Sequence, residues 1–226
     1  MELRETILQG TISVFNQKGL KFTMDDIAGQ LGMSKKTLYV VFADKESLFL
    51  AMVDYMFDGI KESERAVLEN PKLSTLEKIR RILCVMPEGY RNIDLRQLYQ
   101  LRDKYPLIYA KVEERLESGW EPTLDLLQQG IREGVIRPAN LALVKLMMEA
   151  ALEQFFQRDI LIRCGLSYTE ALEQVTQILV DGIAVTPGEE PDRAETELVQ
   201  AGHEEEKQPE TEPACKRDRK KGEEKA

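Results

Sequence analysis

The chain has 226 residues, of which 42% are hydrophobic, enough to bury the core of one sizeable domain or two modest ones. Its formal net charge of -9 excludes a uniformly basic nucleic-acid binder, yet residues 1–50 carry six Lys/Arg against six Asp/Glu while residues 187–226 carry eight against thirteen, and it is the local placement of cations that decides phosphate binding. Cys84, Cys164 and Cys215 are too scattered for a zinc site or a disulfide framework, which fits a reducing cytoplasm, and neither an apolar signal core after the charged MELRE start nor a membrane-spanning run is present.

Residues 2–18 read as a helix whose Leu3, Ile7, Leu8, Ile12, Val14 and Phe15 share one side, ended by Gly19. The stretch 23–45, TMDDIAGQLGMSKKTLYVVFADK, then reads as two short helices joined by a tight turn. Thr23 caps the first of them, with Asp26 three residues on. Ile27, Ala28 and Leu31 face inward, and Gly32 stands where a left-handed residue costs least. Ser34 caps the second, in which Leu38, Val41 and Phe42 point to one side and Lys35, Lys36, Tyr39 and Val40 to the other. This is a helix-turn-helix pattern whose second helix turns lysines and a tyrosine outward, as a major-groove reader does.

Asp44 is the N-cap of a long fourth helix over about 45–68, closed by Pro71. Lys45 in its first turn opposes the helix dipole, so the expectation is that it meets an external anion there. An amphipathic helix over 75–86 is broken by Pro87-Glu88-Gly89, and a short one over about 94–104 precedes Pro106. A helix over 106–134 contains Pro122, which should kink or interrupt it. An apolar helix opened by Arg137-Pro138 runs to Gly165 and is apolar on more than one face, which predicts burial on two sides. Ser167 and Glu170 form a capping box before the last helix. From Pro187 the composition turns to Glu, Lys, Pro and Asp and predicts disorder. The fold class is therefore all-α, with about nine helices and no strand signal. The division is a reading head at 1–47, a larger helical body at 48–186 and a charged tail at 187–226.

With these motifs in register, ILQGTISVFNQKGLKFTMDDIAGQLGMSKKTLYVVFADKESL resembles the TetR family of bacterial transcriptional regulators. The resemblance runs from 7 to about 57 through G-x-x-x-T, DIA, L-G-M-S, T-L-Y and F-x-x-K-E-x-L. It implies an all-helical subunit with three DNA-binding helices and a body that pairs through its last two helices into a homodimer. It also implies a body pocket for a small-molecule effector whose binding releases DNA. Carried over by position, Thr23, Tyr39 and Lys45 are expected on phosphates, and Lys35, Lys36 and Thr37 at the start of the recognition helix on bases and phosphates. Lys36 stands where many members have a small residue or Pro, and Val40 and Val41 replace bulkier residues, so base preference does not transfer. Apolar contact with a thymine methyl is the expectation for Val40.

In the body, Tyr55, Met56, Met86, Tyr90, Tyr99, Tyr109, Trp120 and Phe155 are the expected effector pocket, with plain core packing as the competing reading of each. Met148, Leu152, Phe156, Val175, Ile178 and Leu179 are the expected dimer interface. Arg96, Arg102, Lys104 and Lys111 pair either with an acidic effector or with neighbours such as Glu113 and Glu114. The only histidine, His203, lies in the tail, and no nucleophile–base set, phosphate-cradling loop or metal-ligand cluster stands out, so neither an enzyme nor a cofactor or metal is expected. The partners expected are an operator in double-stranded DNA, a second copy and an effector, with no membrane. The alternative is the same DNA head governed by a protein partner or by no effector.

Overall fold

Most helices begin where a side chain three residues away satisfies the first free amides. In the computed structural model, which describes residues 2–90, 100–157 and 159–185, capping boxes form at Thr23/Asp26, Asp44/Ser47, Ser74/Glu77 and Ser167/Glu170. In each, the cap hydroxyl or carboxylate accepts the third residue's amide, and that residue's side chain accepts the cap's own amide. The carboxyls of Asp26, Asp44, Glu77 and Glu170 are held below their ordinary range. The main cause for Asp26 is its hydrogen bond from Lys18; for the others it is a backbone amide.

The helices are α1 (Leu3–Lys18), α2 (Met24–Leu31), α3 (Lys35–Val41), α4 (Lys45–Glu69), α5 (Thr75–Ile82), α6 (Leu101–Lys104), α7 (Pro106–Glu117), α8 (Glu121–Arg132), α9 (Leu141–Gln157), α10 (Ile160–Cys164) and α11 (Tyr168–Ile183). Among the described residues these are eleven segments, because two of the long helices expected from the sequence are each divided. The first divides at Gly119, whose φ of 72° leaves the helical region; Pro122 then sits in the first turn of α8, where its missing amide costs nothing. The second divides between α9 and α10, and Gly165 ends α10 in the left-handed conformation. The expected helix over 75–86 stops at Ile82. The amide of Cys84 bonds back to Arg81 instead of four residues back, and Pro87 disfavours a helical residue before it. Residues 91–99, most of the short helix expected there, and the tail 187–226 lie outside the described residues.

The core joins all these elements. α4 packs along α7, α5 along α8, and α9 against α7, α8 and α11, while α1 crosses α2 and α4. Ile7, Leu8, Ile27, Leu38 and Leu48 are fully buried as expected, but Leu3 remains at the surface. Among the described residues the extended backbone pairing is a single bridge, Ile136 with Ala184, tying the α8–α9 connection to the end of α11. Among the same residues no helix is long and apolar enough to cross a membrane.

The closest helix approach in the head depends on Gly10 of α1. A Cβ placed there would lie 2.6 Å from Leu31 Cδ2 and 2.8 Å from Leu31 Cγ at the end of α2. Gly10→Val should therefore displace α2 and cost about 1–3 kcal/mol of stability in urea unfolding. A change below about 0.5 kcal/mol would show that Leu31 rotates away without cost.

Candidate nucleic-acid interface and body cavity

The reading head is built on the turn at Gly32, whose φ of 62° lets α2 end and α3 begin within three residues. Ser34 Oγ accepts the Thr37 amide at 3.1 Å, and its hydroxyl also pairs with Thr37 Oγ1 at 2.9 Å. Leu38 is fully buried and anchors the inner side of α3. The outer side presents Lys35, Lys36, Tyr39 and Val40, all exposed, with Tyr39 at 48% and Val40 at 78%. These four therefore lie together on one open face, as the helical spacing requires.

The lysines of this face differ. Lys35 Nζ lies 2.6 Å from Asp25 Oδ1, and this hydrogen bond raises the lysine pKa. Among the described residues no carboxylate lies within ion-pair distance of Lys36. Thr23 is exposed at the start of α2, but its hydroxyl is engaged in the cap, donating to Asp26 Oδ2 at 2.8 Å.

Lys45 departs from the expectation of a cation held out toward an external anion. Its Nζ donates to Leu20 O at 3.1 Å and to Tyr105 Oη at 3.0 Å. It lies 4.3 Å from the centre of the Phe22 ring and 5.1 Å from that of Tyr105. Tyr105 in turn donates to Leu20 O at 3.2 Å. The physical reason is a nest of carbonyl, hydroxyl and two ring faces that attracts an ammonium more than open solvent does. Tyr105 is 60 residues away in sequence, so no local pattern revealed it.

Beneath the head, the body contains a cavity of about 150 Å³. Its inner end is formed by Phe15 of α1 and Phe49 of α4, and its flanks carry Met52, Met56, Met86 and Met148. Of the residues expected to line a pocket, Met56, Met86 and Trp120 do so. Four do not. Tyr55 turns to α1, where its hydroxyl meets Gln9 and Glu5. Tyr90 packs over Gly59 of α4, and burial pushes its pKa up to about 12. Tyr109 is buried in the core away from the cavity. Phe155 stands behind the lining Tyr168, ring centres 5.9 Å apart. Tyr99 lies outside the described residues. In each case an aromatic ring served as packing because a neighbouring helix offered it a surface.

The polar rim of the cavity was not legible from the sequence. Lys61 Nζ donates to both oxygens of Glu64, at 2.9 and 3.1 Å, and to Gly119 O at 2.8 Å. Burial raises the pKa of Glu64 against the pull of Lys61. Arg115 reaches Asp58 at 2.7 Å and Asp54 at 3.4 Å. Lys111 pairs with Glu114 at 3.0 Å, as one of the two sequence readings had it.

The expected dimer residues divide in two. Met148 (1% exposed), Leu152 and Leu179 point into the protomer core, which corrects their assignment to a face between copies. The cause is that α9 and α11 are apolar on two sides, and this side packs against α5, α7 and α8. Val175 is half-buried and Ile178 is 75% exposed; the side chain of Phe156 lies outside the described residues. The outward stripe comprises Leu143, Leu146 and Met147 of α9, with Ile178 of α11. Exposed apolar side chains in a contiguous stripe mark an interaction surface.

Comparison with known proteins agrees with this geometry. Residues 7–52 match the model of the family described as bacterial regulatory proteins, tetR family. An uncharacterized HTH-type transcriptional regulator of Bacillus subtilis (strain 168), YvaF, is 30% identical over 186 residues, covering 82% of this chain and 97% of that protein. Two solved structures share the fold. A TetR transcription regulator from Haloarcula marismortui superposes with a TM-score of 0.61 at 18% identity, over 80% of this chain and 98% of the other. The transcriptional regulator FadR from Bacillus subtilis, crystallised in complex with stearoyl-CoA, gives a TM-score of 0.55 at 22% identity, over 79% and 98%. The chain belongs to the TetR family and is a DNA-binding transcriptional regulator, not an enzyme.

Proposed function

We propose that two copies of this chain form a homodimeric repressor that reads a roughly palindromic operator and is released from it by a small-molecule effector bound in the body cavity. The observation that carries this reading is the outer face of α3, where Lys36, Tyr39 and Val40 stand exposed on a helix anchored by Leu38. Residues 1–47 act as the reading head and 48–186 as the effector and dimerisation body. Such a regulator works on DNA in the bacterial cytoplasm.

Within the head, Thr23 and Tyr39 set register on phosphates. Lys35, Lys36, Thr37 and Val40 read base edges. Lys35 joins them by exchanging Asp25 for DNA, whereas Lys36 has no ion-pair partner to leave among the described residues. Two heads about 34–36 Å apart meet successive major grooves on one side of the duplex. The second copy is held by the exposed Leu143, Leu146 and Met147, spaced i, i+3, i+4 on α9, together with the exposed Ile178 of α11.

The effector reading is favoured over a protein partner because the cavity touches the head directly through Phe15, and through Phe49 next to it on α4. Both rings belong to the aromatic cluster around Lys45: Phe49 lies 5.8 Å from Tyr105 and 5.4 Å from Phe22, centre to centre. A ligand at the inner end of the cavity presses on the cluster that holds Lys45. Lys45 is thus shared between two settings, the internal site at Tyr105 and Leu20, and a DNA phosphate beside the start of α4.

Three measurements test the reading. Selection of bound duplexes from a random pool should return an inverted repeat, and Lys36→Ala should relax one base position in each half-site by about 1–3 kcal/mol. Asymmetric enriched sequences would sink the dimeric reader, and uniform weakening would remove Lys36 from base reading. Tyr105→Phe keeps the ring but removes the acceptor for Lys45, and should tighten operator binding by about tenfold or more. Lys45→Ala should flatten the salt dependence by about one unit; an unchanged slope would make Lys45 an internal pin only. The pair Leu146→Glu, Ile178→Glu should yield a monomer by sedimentation and lose roughly a hundredfold in operator affinity. A variant that remains a dimer would move the interface elsewhere.

A further inference from the structure

We infer that the body cavity takes an uncharged, predominantly hydrocarbon molecule and discriminates against both acids and amines. This rests on the reading of the cavity as the effector site and names the class of effector. The interior is the first ground. Phe15, Phe49 and four methionines contributed from α4, the segment after α5, and α9 line it. An apolar cavity of this size stays free of water and accepts a small hydrocarbon. Methionine side chains, with three rotatable bonds and a polarisable sulfur, let it widen around the guest.

The charged rim is the second ground, and it is closed upon itself. Lys61 and Arg115 are the cations of the lining. All three donors of the Lys61 ammonium are taken, two by Glu64 and one by Gly119 O. The Arg115 guanidinium faces Asp54 and Asp58 and lies 5.5 Å from the Phe57 ring centre. Lys111, beside it, holds Glu114 and approaches Asp54 at 3.7 Å. The charged groups of the lining are therefore Lys61, Arg115 and Glu64, and the cations among them are held by Glu64 within the lining and by Asp54 and Asp58 beside it.

Among the described residues an incoming carboxylate finds both cations of the lining already paired. To bind, it must take Lys61 from Glu64, whose side chain is only 12% exposed, or Arg115 from Asp54 and Asp58. An incoming ammonium must take Glu64 from Lys61, whose side chain is 33% exposed. Either exchange leaves a partly buried charge without its partner, which is costly. A neutral guest leaves the rim intact and gains only from the apolar walls and, at most, one hydrogen bond.

Trp120 is the only tryptophan of the chain and lines this cavity, so its fluorescence reports occupancy. The experiment titrates the full-length protein near neutral pH with 1-hexanol, hexanoate and hexylamine, which differ only in the head group. The alcohol should shift Trp120 emission saturably and bind at least about tenfold tighter than either charged analogue. Equal or tighter binding of hexanoate or hexylamine would overturn the class while leaving the cavity as the site. No saturable response to any of the three would overturn both this inference and the effector reading of the cavity. Met56→Phe, which narrows the cavity at a half-buried position, should weaken the alcohol. Full affinity in a variant of unchanged helix content would place the binding elsewhere and overturn the inference, and the comparison of the three ligands on the unaltered protein stands without that variant.

Discussion

The ammonium of Lys45 joins the parts of this regulator that must act together. It hydrogen-bonds Leu20 at the end of the first helix and Tyr105 at the α6–α7 corner, and lies against the faces of Phe22 and Tyr105. A hydrogen bond to a charged group contributes about 1.5–3 kcal/mol, and a partly desolvated cation over a ring about 0.5–2. These terms overlap, yet either alone is large against the few kcal/mol that separate conformers of a switch. Around the ammonium, Phe15, Phe22, Phe49 and Tyr105 meet edge-on or tilted at 5.4 to 6.2 Å, the arrangement that aromatic quadrupoles favour. Moving the head relative to the body requires disturbing this cluster.

α4 is the element along which such a disturbance travels. It spans 25 residues, about 37 Å at the helical rise. Its start carries Lys45 and Phe49, and its middle gives Met52 and Met56 to the cavity. Farther along, Asp54 and Asp58 hold Arg115 of α7, and Lys61 reaches Gly119 between α7 and α8. The same helix therefore touches the reading head, the cavity wall and the charged rim. In the proposed mechanism a guest presses on the aromatic cluster at the start of α4, and the tightly packed interior passes the shift on rather than absorbing it.

The body helices also show why apolar content alone misplaces an interface. On α9, adjacent methionines serve opposite purposes: Met148 is 1% exposed in the protomer, while Met147 is 53% exposed. A step of one residue turns the side chain by about 100° around the helix. A helix buried on two sides has two apolar stripes, and composition does not say which one faces inward. On α11 the same choice falls between Leu179 and Ile178.

What the sequence determined by itself was whatever acts over three or four residues. Thr23 with Asp26, Ser167 with Glu170, and the left-handed Gly32 and Gly165 were legible because capping and backbone sterics are local. The outward set Lys35, Lys36, Tyr39 and Val40 was legible too, since a single buried leucine orients so short a helix. The tertiary structure decided what depends on neighbours distant in the chain. It drew Lys45 to Tyr105, brought Lys61 to Gly119, and turned Tyr55 toward α1. It also chose the inner stripe of α9. Ion pairs, ring contacts and cavities arise where separate helices meet, and that meeting is set by the packing of the whole core, not by any one segment's pattern.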